Sequence, residues 1–224
     1  MIRRLQRFWE QDRGLSVLLL LLILVILAGG PPERSGALSR FVLSVLLTLV
    51  LGTGVLVVSR RRWAGLVAGS VAAAAVVTEW ARQWSPSPAL EMAAALSAFA
   101  CVSILAAVVL HQVLRSGRIT VHRIVGSTAA YLLLGFAWGE LYRALSAAAP
   151  GAFAAASGAL LEHAHYQYFS IVTLTTLGYG DITPVHPLAR SLAMLEALTG
   201  QLFPAILIAR LVSMELVARD QRHD

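Results

Sequence analysis

The chain has 224 residues, is 58% hydrophobic and carries only 13% charged residues, against roughly 25% in ordinary soluble domains. Its formal charge of +6 comes wholly from arginine, because the sequence contains neither lysine nor asparagine. The apolar residues fall in long unbroken runs that suit lipid, and a basic surface for nucleic acid would not be split by such runs, so that class is excluded.

A membrane-crossing helix needs roughly 20 mostly apolar residues at about 1.5 Å of rise each. Six stretches approach or meet this length: 15–29, 41–59, 63–80, 89–114, 121–145 and 188–213. Breakers separate them, namely Gly29-Gly30-Pro31-Pro32, Arg60-Arg61-Arg62 and Ser85-Pro86-Ser87-Pro88. The first stretch, preceded by Arg3, Arg4 and Arg7, also fits a signal peptide. Removing it would leave an odd number of spans and an inconsistent charge pattern. With six spans and both termini cytoplasmic, thirteen arginines lie inside, and only Arg34, Arg40, Arg82, Arg143 and Arg190 lie outside. That asymmetry follows the positive-inside rule. Trp9 and Trp63 then anchor the inner interface, and Trp80 and Trp84 the outer one. The lone cysteine, Cys101, sits in an apolar run and reads as a packing residue. The expected fold is an all-α membrane protein with six transmembrane helices.

Between the fifth and sixth spans, 146–187 is more than a loop. It holds a second apolar stretch, 166–177, that is too short to cross and reads as re-entrant. Non-helical backbone survives at membrane depth only where protein buries it or a water-filled path runs beside it. This segment points to a pore or a substrate site.

Directly after it comes Thr175-Thr176-Leu177-Gly178-Tyr179-Gly180-Asp181. The string resembles the signature of potassium channels, usually Thr-Val-Gly-Tyr-Gly-Asp after a threonine, with Leu177 where valine is commoner. The resemblance extends over 121–213, a helix–pore-helix–helix module. It implies that the carbonyls of Thr176, Leu177, Gly178, Tyr179 and Gly180 line K⁺ sites, and that the Thr176 hydroxyl completes the innermost one. An ion losing its water needs successive carbonyls on one side. An all-L strand alternates them, so every second residue must be left-handed, which Gly178 and Gly180 allow at little cost. One loop supplies one wall, so the resemblance implies a homotetramer in the lipid bilayer with a selectivity filter at its axis. Tyr179 is expected to wedge behind the filter, and Asp181 to sit at the outer mouth.

Other positions follow from the same likeness. Thr175 supports the filter, and the Tyr168 hydroxyl stands where an aromatic residue commonly meets the mouth aspartate, here Asp181. Val172 replaces a glutamate frequent in prokaryotic pores, so the pairing of that glutamate with the aspartate is impossible. Gly200 falls where the inner helix often has a hinge glycine; bending and close packing both account for it. With Pro204 four residues later, it suggests a gating hinge and a gate near Ile208 and Val212.

The remaining polar residues carry two readings each. His163, His165 and His186 are solvated turret residues, or they make conduction sensitive to pH or metal. Glu196 hydrogen-bonds behind the filter or faces the cavity. Glu140 and Arg143 are spaced to pair locally. The stretch 89–114 has no arginine or lysine, so weak or no voltage dependence is expected. The 115–120 link is too short for a long coupling helix, so the outer helices should pack on their own subunit's pore. The chain ends soon after the sixth span, and no regulatory domain is expected there.

The sequence divides into an N-terminal four-helix region (1–118), a pore domain (119–214) and a short cytoplasmic tail (215–224). The reading is a K⁺-selective plasma-membrane channel with no cofactor beyond the permeant ion and no enzymatic activity. The alternatives are a weakly selective monovalent cation channel and a non-conducting polytopic sensor or transporter.

Overall fold

The computed structural model of the chain describes residues 13–28, 44–53, 62–85, 87–114, 121–158 and 160–220. Among the described residues seven helices are seen: α1 (Arg13–Ala28), α2 (Ser44–Thr53), α3 (Arg62–Trp84), α4 (Pro88–Leu114), α5 (Val121–Ala148), α6 (His163–Leu174) and α7 (Pro187–Asp220). Among the same residues three stretches are long and apolar enough to cross a membrane: Pro88–Leu114, Arg123–Ala148 and Pro187–Arg210. They correspond to the fourth, fifth and sixth predicted spans. The apolar parts of α1 and α2 are shorter, and α3 is helical through the third predicted span without joining those three. Arg3, Arg4, Arg7, Trp9, Arg34, Arg40, Arg60, Arg61, the 29–32 breaker and the 115–120 link lie outside the described residues.

Helix α4 begins where local chemistry dictates. Pro88 occupies its first turn, and the Ser87 hydroxyl accepts the Leu90 N–H at 3.2 Å. Its buried residues, including Cys101, Leu105, Val109 and Val113, fall three to four apart and face the core. Cys101 is a packing residue, as expected.

Helix α5 is the hub, packing against α1, α4, α6 and α7. Two of the N-terminal helices, α1 and α4, therefore lie directly on α5 of the same chain, and α3 packs on α4. Small residues make this possible on both sides. A Cβ at Gly126 would stand 3.0 Å from Val113 and 3.1 Å from Leu15. On the face toward α6, a Cβ at Gly135 would meet Ile171 at 2.6 Å, and one at Gly139 would meet Gln167 at 2.4 Å. The glycines let a short helix lie directly against a long one.

The all-α expectation needs one correction. Phe153–Ala155 (β1) pairs antiparallel with Ile182–Pro184 (β2), with Ala154 opposite Thr183. Phe153 on β1 enters a cluster with Tyr142, Tyr166 and Phe169, whose rings meet edge-on at 5.3–5.6 Å around Phe153. The ribbon is only three residues long on each side, which is too short to leave a period-2 signal in the sequence.

The Glu140–Arg143 pair forms as predicted, at 3.0 Å, but belongs to a larger buried cluster. The Arg143 guanidinium also binds Glu91 at 2.7 Å and Glu79 at 3.0 Å, joining α3, α4 and α5. Arg82 pairs with Glu79 and reaches Glu91 at 3.4 Å. His163 stands 2.7 Å from Glu140, and Gln167 donates to the same carboxylate at 2.9 Å, so the start of α6 is tied in. His163 is thus no solvated turret residue. The other two histidines have local roles. His165, half-buried, accepts the Glu162 N–H at 2.9 Å at the start of α6, and His186, which is exposed as the solvated reading expects, accepts the Leu188 N–H at 3.2 Å at the start of α7. Both satisfy backbone donors at helix starts.

Candidate functional site

The signature loop hangs from the C-terminal end of α6. Its first turn is held by the helix itself: the Thr175 N–H and hydroxyl both donate to the Ile171 carbonyl, at 3.0 and 2.7 Å. The Thr176 N–H donates to Thr173 at 2.9 Å, and the N–H groups of Leu177 and Gly178 converge on the Val172 carbonyl at 2.9 and 3.3 Å. Tyr131 of α5 donates its hydroxyl to the Leu174 carbonyl at 3.1 Å. The last free carbonyls of a buried helix end are satisfied in this way.

Beyond that turn the backbone alternates in hand. Thr176, Gly178 and Gly180 have φ of +58°, +57° and +79°, whereas Leu177 and Tyr179 do not share the positive sign. Alternation of this kind turns successive carbonyls to the same side of the strand, which a uniform β-strand cannot do. The two glycines take the conformation expected of them. Thr176 takes it too, although a β-branched residue is strained there. Leu177 and Tyr179 are exposed on the single chain, at 56% and 67%.

At the outer end of the loop the Tyr168 hydroxyl lies close enough to the Asp181 carboxylate to interact with it. A hydrogen bond to a charged acceptor contributes about 1.5–3 kcal/mol. Tyr168→Phe is therefore expected to loosen the outer end of the loop, read as faster amide hydrogen exchange at 178–182. Exchange equal to wild type would show that this contact does not hold the loop.

Behind the loop lies a second anchor. Glu196 of α7 is fully buried; its Oε2 accepts the Tyr142 hydroxyl at 2.5 Å. Its Oε1 lies 2.5 Å from the Ser170 hydroxyl, which is also 2.6 Å from the Gly135 carbonyl. Of the two readings for Glu196, hydrogen bonding behind the loop is the one that fits these contacts. The carboxyl group that backs α6 therefore comes from the neighbouring helix α7, while position 172 of α6 itself is a valine.

Helix α7 runs unbroken through Gly200 and Pro204. A Cβ at Gly200 would stand 1.9 Å from the Leu174 carbonyl oxygen and 2.8 Å from its carbon. Close packing alone therefore requires a glycine here. The next residue, Gln201, donates its amide to the Thr176 hydroxyl at 2.9 Å.

The structure thus brings together Tyr168, Thr175, Thr176, Gly178, Gly180, Asp181 and Gly200 around one loop. Pro204, Ile208 and Val212 lie farther along α7. Sequence reasoning missed Tyr131, Ser170 and Gln201. Their signal was available, since each is a polar residue in an apolar helix.

Comparison with known proteins bears on this geometry. A family model described as "Ion channel" (Ion_trans_2) matches residues 128–216. Residues 128–216 are thus similar to ion channels. The matched segment begins within α5, takes in the ribbon, α6 and the signature loop, and ends within α7. The matching family is one of channels rather than enzymes. Two pore potassium channel c of Oryza sativa subsp. japonica is 41% identical over 87 residues, which is 39% of this chain and 18% of that protein. Protein LctB of Geobacillus stearothermophilus is 38% identical over 86 residues, 36% of this chain and 62% of the relative. Protein LctB of Bacillus caldotenax is 44% identical over 45 residues, 20% of this chain and 33% of the relative. The chain spans less than two thirds of each of these relatives. No solved structure matches.

Proposed function

We propose that the chain is one subunit of a homotetrameric, potassium-selective channel of the plasma membrane, with six spans and both termini cytoplasmic. The observation that carries the reading is the alternating backbone at Thr176, Gly178 and Gly180. Four such loops around an axis would present main-chain oxygens in successive rings, each able to replace hydration water around K⁺. The carbonyls of Leu177, Tyr179 and Gly180 belong to that path, and Asp181 sits at its outer end.

The unpartnered surface of the single chain supports assembly. Along α7, Met194, Leu198, Leu202 and Ile206 are about half exposed or more. An apolar strip of this length next to the exposed Leu177 and Tyr179 needs either lipid or further copies, and the loop supplies only one wall. The matched potassium-channel relative favours K⁺ as the ion.

In this reading, 1–118 is a peripheral region, 119–214 the pore and 215–224 the tail. No cofactor takes part, and the partners are copies of the chain, lipid and K⁺. Apart from the buried thiol of Cys101, the titratable residues of α4 are Glu91 and His111, at its two ends, so little gating charge crosses the field. Pro204 removes a helix hydrogen bond in α7 and serves as the gating hinge, with Gly200 as its fixed point on the filter side.

Purified protein in liposomes under a K⁺ gradient is expected to give a Ba²⁺-sensitive flux. Its reversal potential in mixed K⁺/Na⁺ should follow K⁺, and its open probability should change little with voltage. A reversal potential midway between the two ions would mean a weakly selective cation pore. Absence of flux would mean a non-conducting membrane protein.

A further inference from the structure

The innermost residue of the loop is held in an unusual way. Thr176 has φ of +58°, a conformation that costs a β-branched residue about 1–3 kcal/mol and persists only where its surroundings impose it. Its N–H is bound to Thr173 of α6, and its hydroxyl to Gln201 of α7. The second contact is fixed in register by the residue before it. Gly200 lies against the Leu174 carbonyl so closely that no side chain fits, which sets the height of α7 relative to the end of α6. One residue further along α7, the Gln201 side chain reaches the loop two residues beyond Leu174.

The chemistry of this pair is specific. A threonine hydroxyl has one hydrogen and two lone pairs, and it rotates freely unless a partner fixes it. The Gln201 amide donates to the oxygen at 2.9 Å and so engages one lone pair. The other lone pair is left in a fixed direction, available to a cation. A neutral amide does this without adding charge at the base of the path. A carboxylate could only accept and would turn the hydroxyl hydrogen toward itself. Both residues are exposed on the single chain, on the side left open for other copies.

We propose that Gln201 is a positioning residue that sets the cation affinity of the innermost site by orienting the Thr176 hydroxyl; this rests on reading the loop as a potassium filter. Gln201 does not touch the ion. It acts through Thr176 and ties the affinity of that site to the position of α7.

The test uses Ba²⁺, a divalent ion similar in size to K⁺, titrated calorimetrically into the purified full-length protein in K⁺-free buffer, so that no conduction is needed. Gln201→Leu removes the donor at similar volume, and Gln201→Asn keeps an amide one methylene too short to reach. Each should weaken Ba²⁺ binding by about three- to tenfold, the range corresponding to one hydrogen bond of ordinary net strength. In a Thr176→Val background, which lacks the hydroxyl, Gln201→Leu and Gln201→Asn should change nothing further. A purely structural glutamine would give equal losses on both backgrounds, and that result would overturn the proposal. So would wild-type affinity in both variants. Should Gln201→Leu not assemble, Gln201→Asn decides the matter alone. Failure of the underlying reading is distinguishable, because wild-type protein would then bind no Ba²⁺ and pass no K⁺.

Discussion

Gly200→Ala is expected to abolish the conducting protein outright rather than to alter its gating. The added methyl would lie 1.9 Å from the Leu174 carbonyl oxygen, with two further Leu174 backbone atoms within 3.1 Å. A flexible side chain could swing aside, but a backbone carbonyl at the root of the loop cannot. That carbonyl also accepts the Tyr131 hydroxyl at 3.1 Å, so moving it costs a second contact. Overpacking in well-packed cores costs about 1–3 kcal/mol where neighbours can adjust, and here they cannot. Under the proposed function, the variant should lose the tetramer on size-exclusion chromatography in detergent and should carry no flux. Pro204→Ala, by contrast, restores a helix hydrogen bond and should assemble normally while shifting open probability. A Gly200→Ala protein that assembles and conducts like wild type would remove the close-packing account.

Arg143→Leu should be nearly as damaging, acting at the opposite end of α6. The side chain is only 1% exposed and meets three carboxylates, those of Glu79, Glu91 and Glu140. Removing one partner of a buried ionic cluster costs about 3–5 kcal/mol, because the remaining charges stay buried without compensation. With Arg143 gone, three acids face only Arg82 and His163. Thermal unfolding in detergent should fall sharply, and flux should disappear with it. Arg143→Lys should recover part of the loss, since one ammonium replaces the charge but not the three-way fork of the guanidinium. Equal stability of the Leu and Lys variants would show that charge is not what the site requires.

Much of the pore was legible because its constraints are local. The need for a left-handed residue at every second position fixed the parity of Gly178 and Gly180. Thr176 has the same parity, but its positive φ was not foreseen, because a β-branched residue argues against it. The apolar lengths of 89–114, 121–145 and 188–213 identified the three long helices for the same reason: each is a property of a contiguous stretch. What escaped was everything carried by residues far apart in sequence. Arg143 and Glu140 are three apart and were paired correctly, but Glu79 lies 64 positions from Arg143, and nothing in the local pattern joins them. The solvated reading of His163 failed on similar grounds. A loop position suggests solvent, whereas this histidine packs against a carboxylate on α5; His165 and His186 accept backbone donors at helix starts, and His186 stays exposed. Gln201 could have been suspected, being an amide beside a glycine in an apolar helix, but only the approach of α7 to Leu174 gives it a partner.

In the orientation proposed above, the short ribbon gives the extracellular surface a handle on the pore mouth. Beyond its paired strands, the Ala156 N–H donates to the Asp181 carbonyl at 2.7 Å, and the Val185 N–H donates to Ala152 at 2.8 Å. The segment before α6 is thereby stitched to the segment leaving the loop, at the residue that bears the outermost carboxylate. An antibody fragment gripping residues 150–158 would pull on that stitch from the flank. It could throttle ion flow while leaving the entrance unplugged.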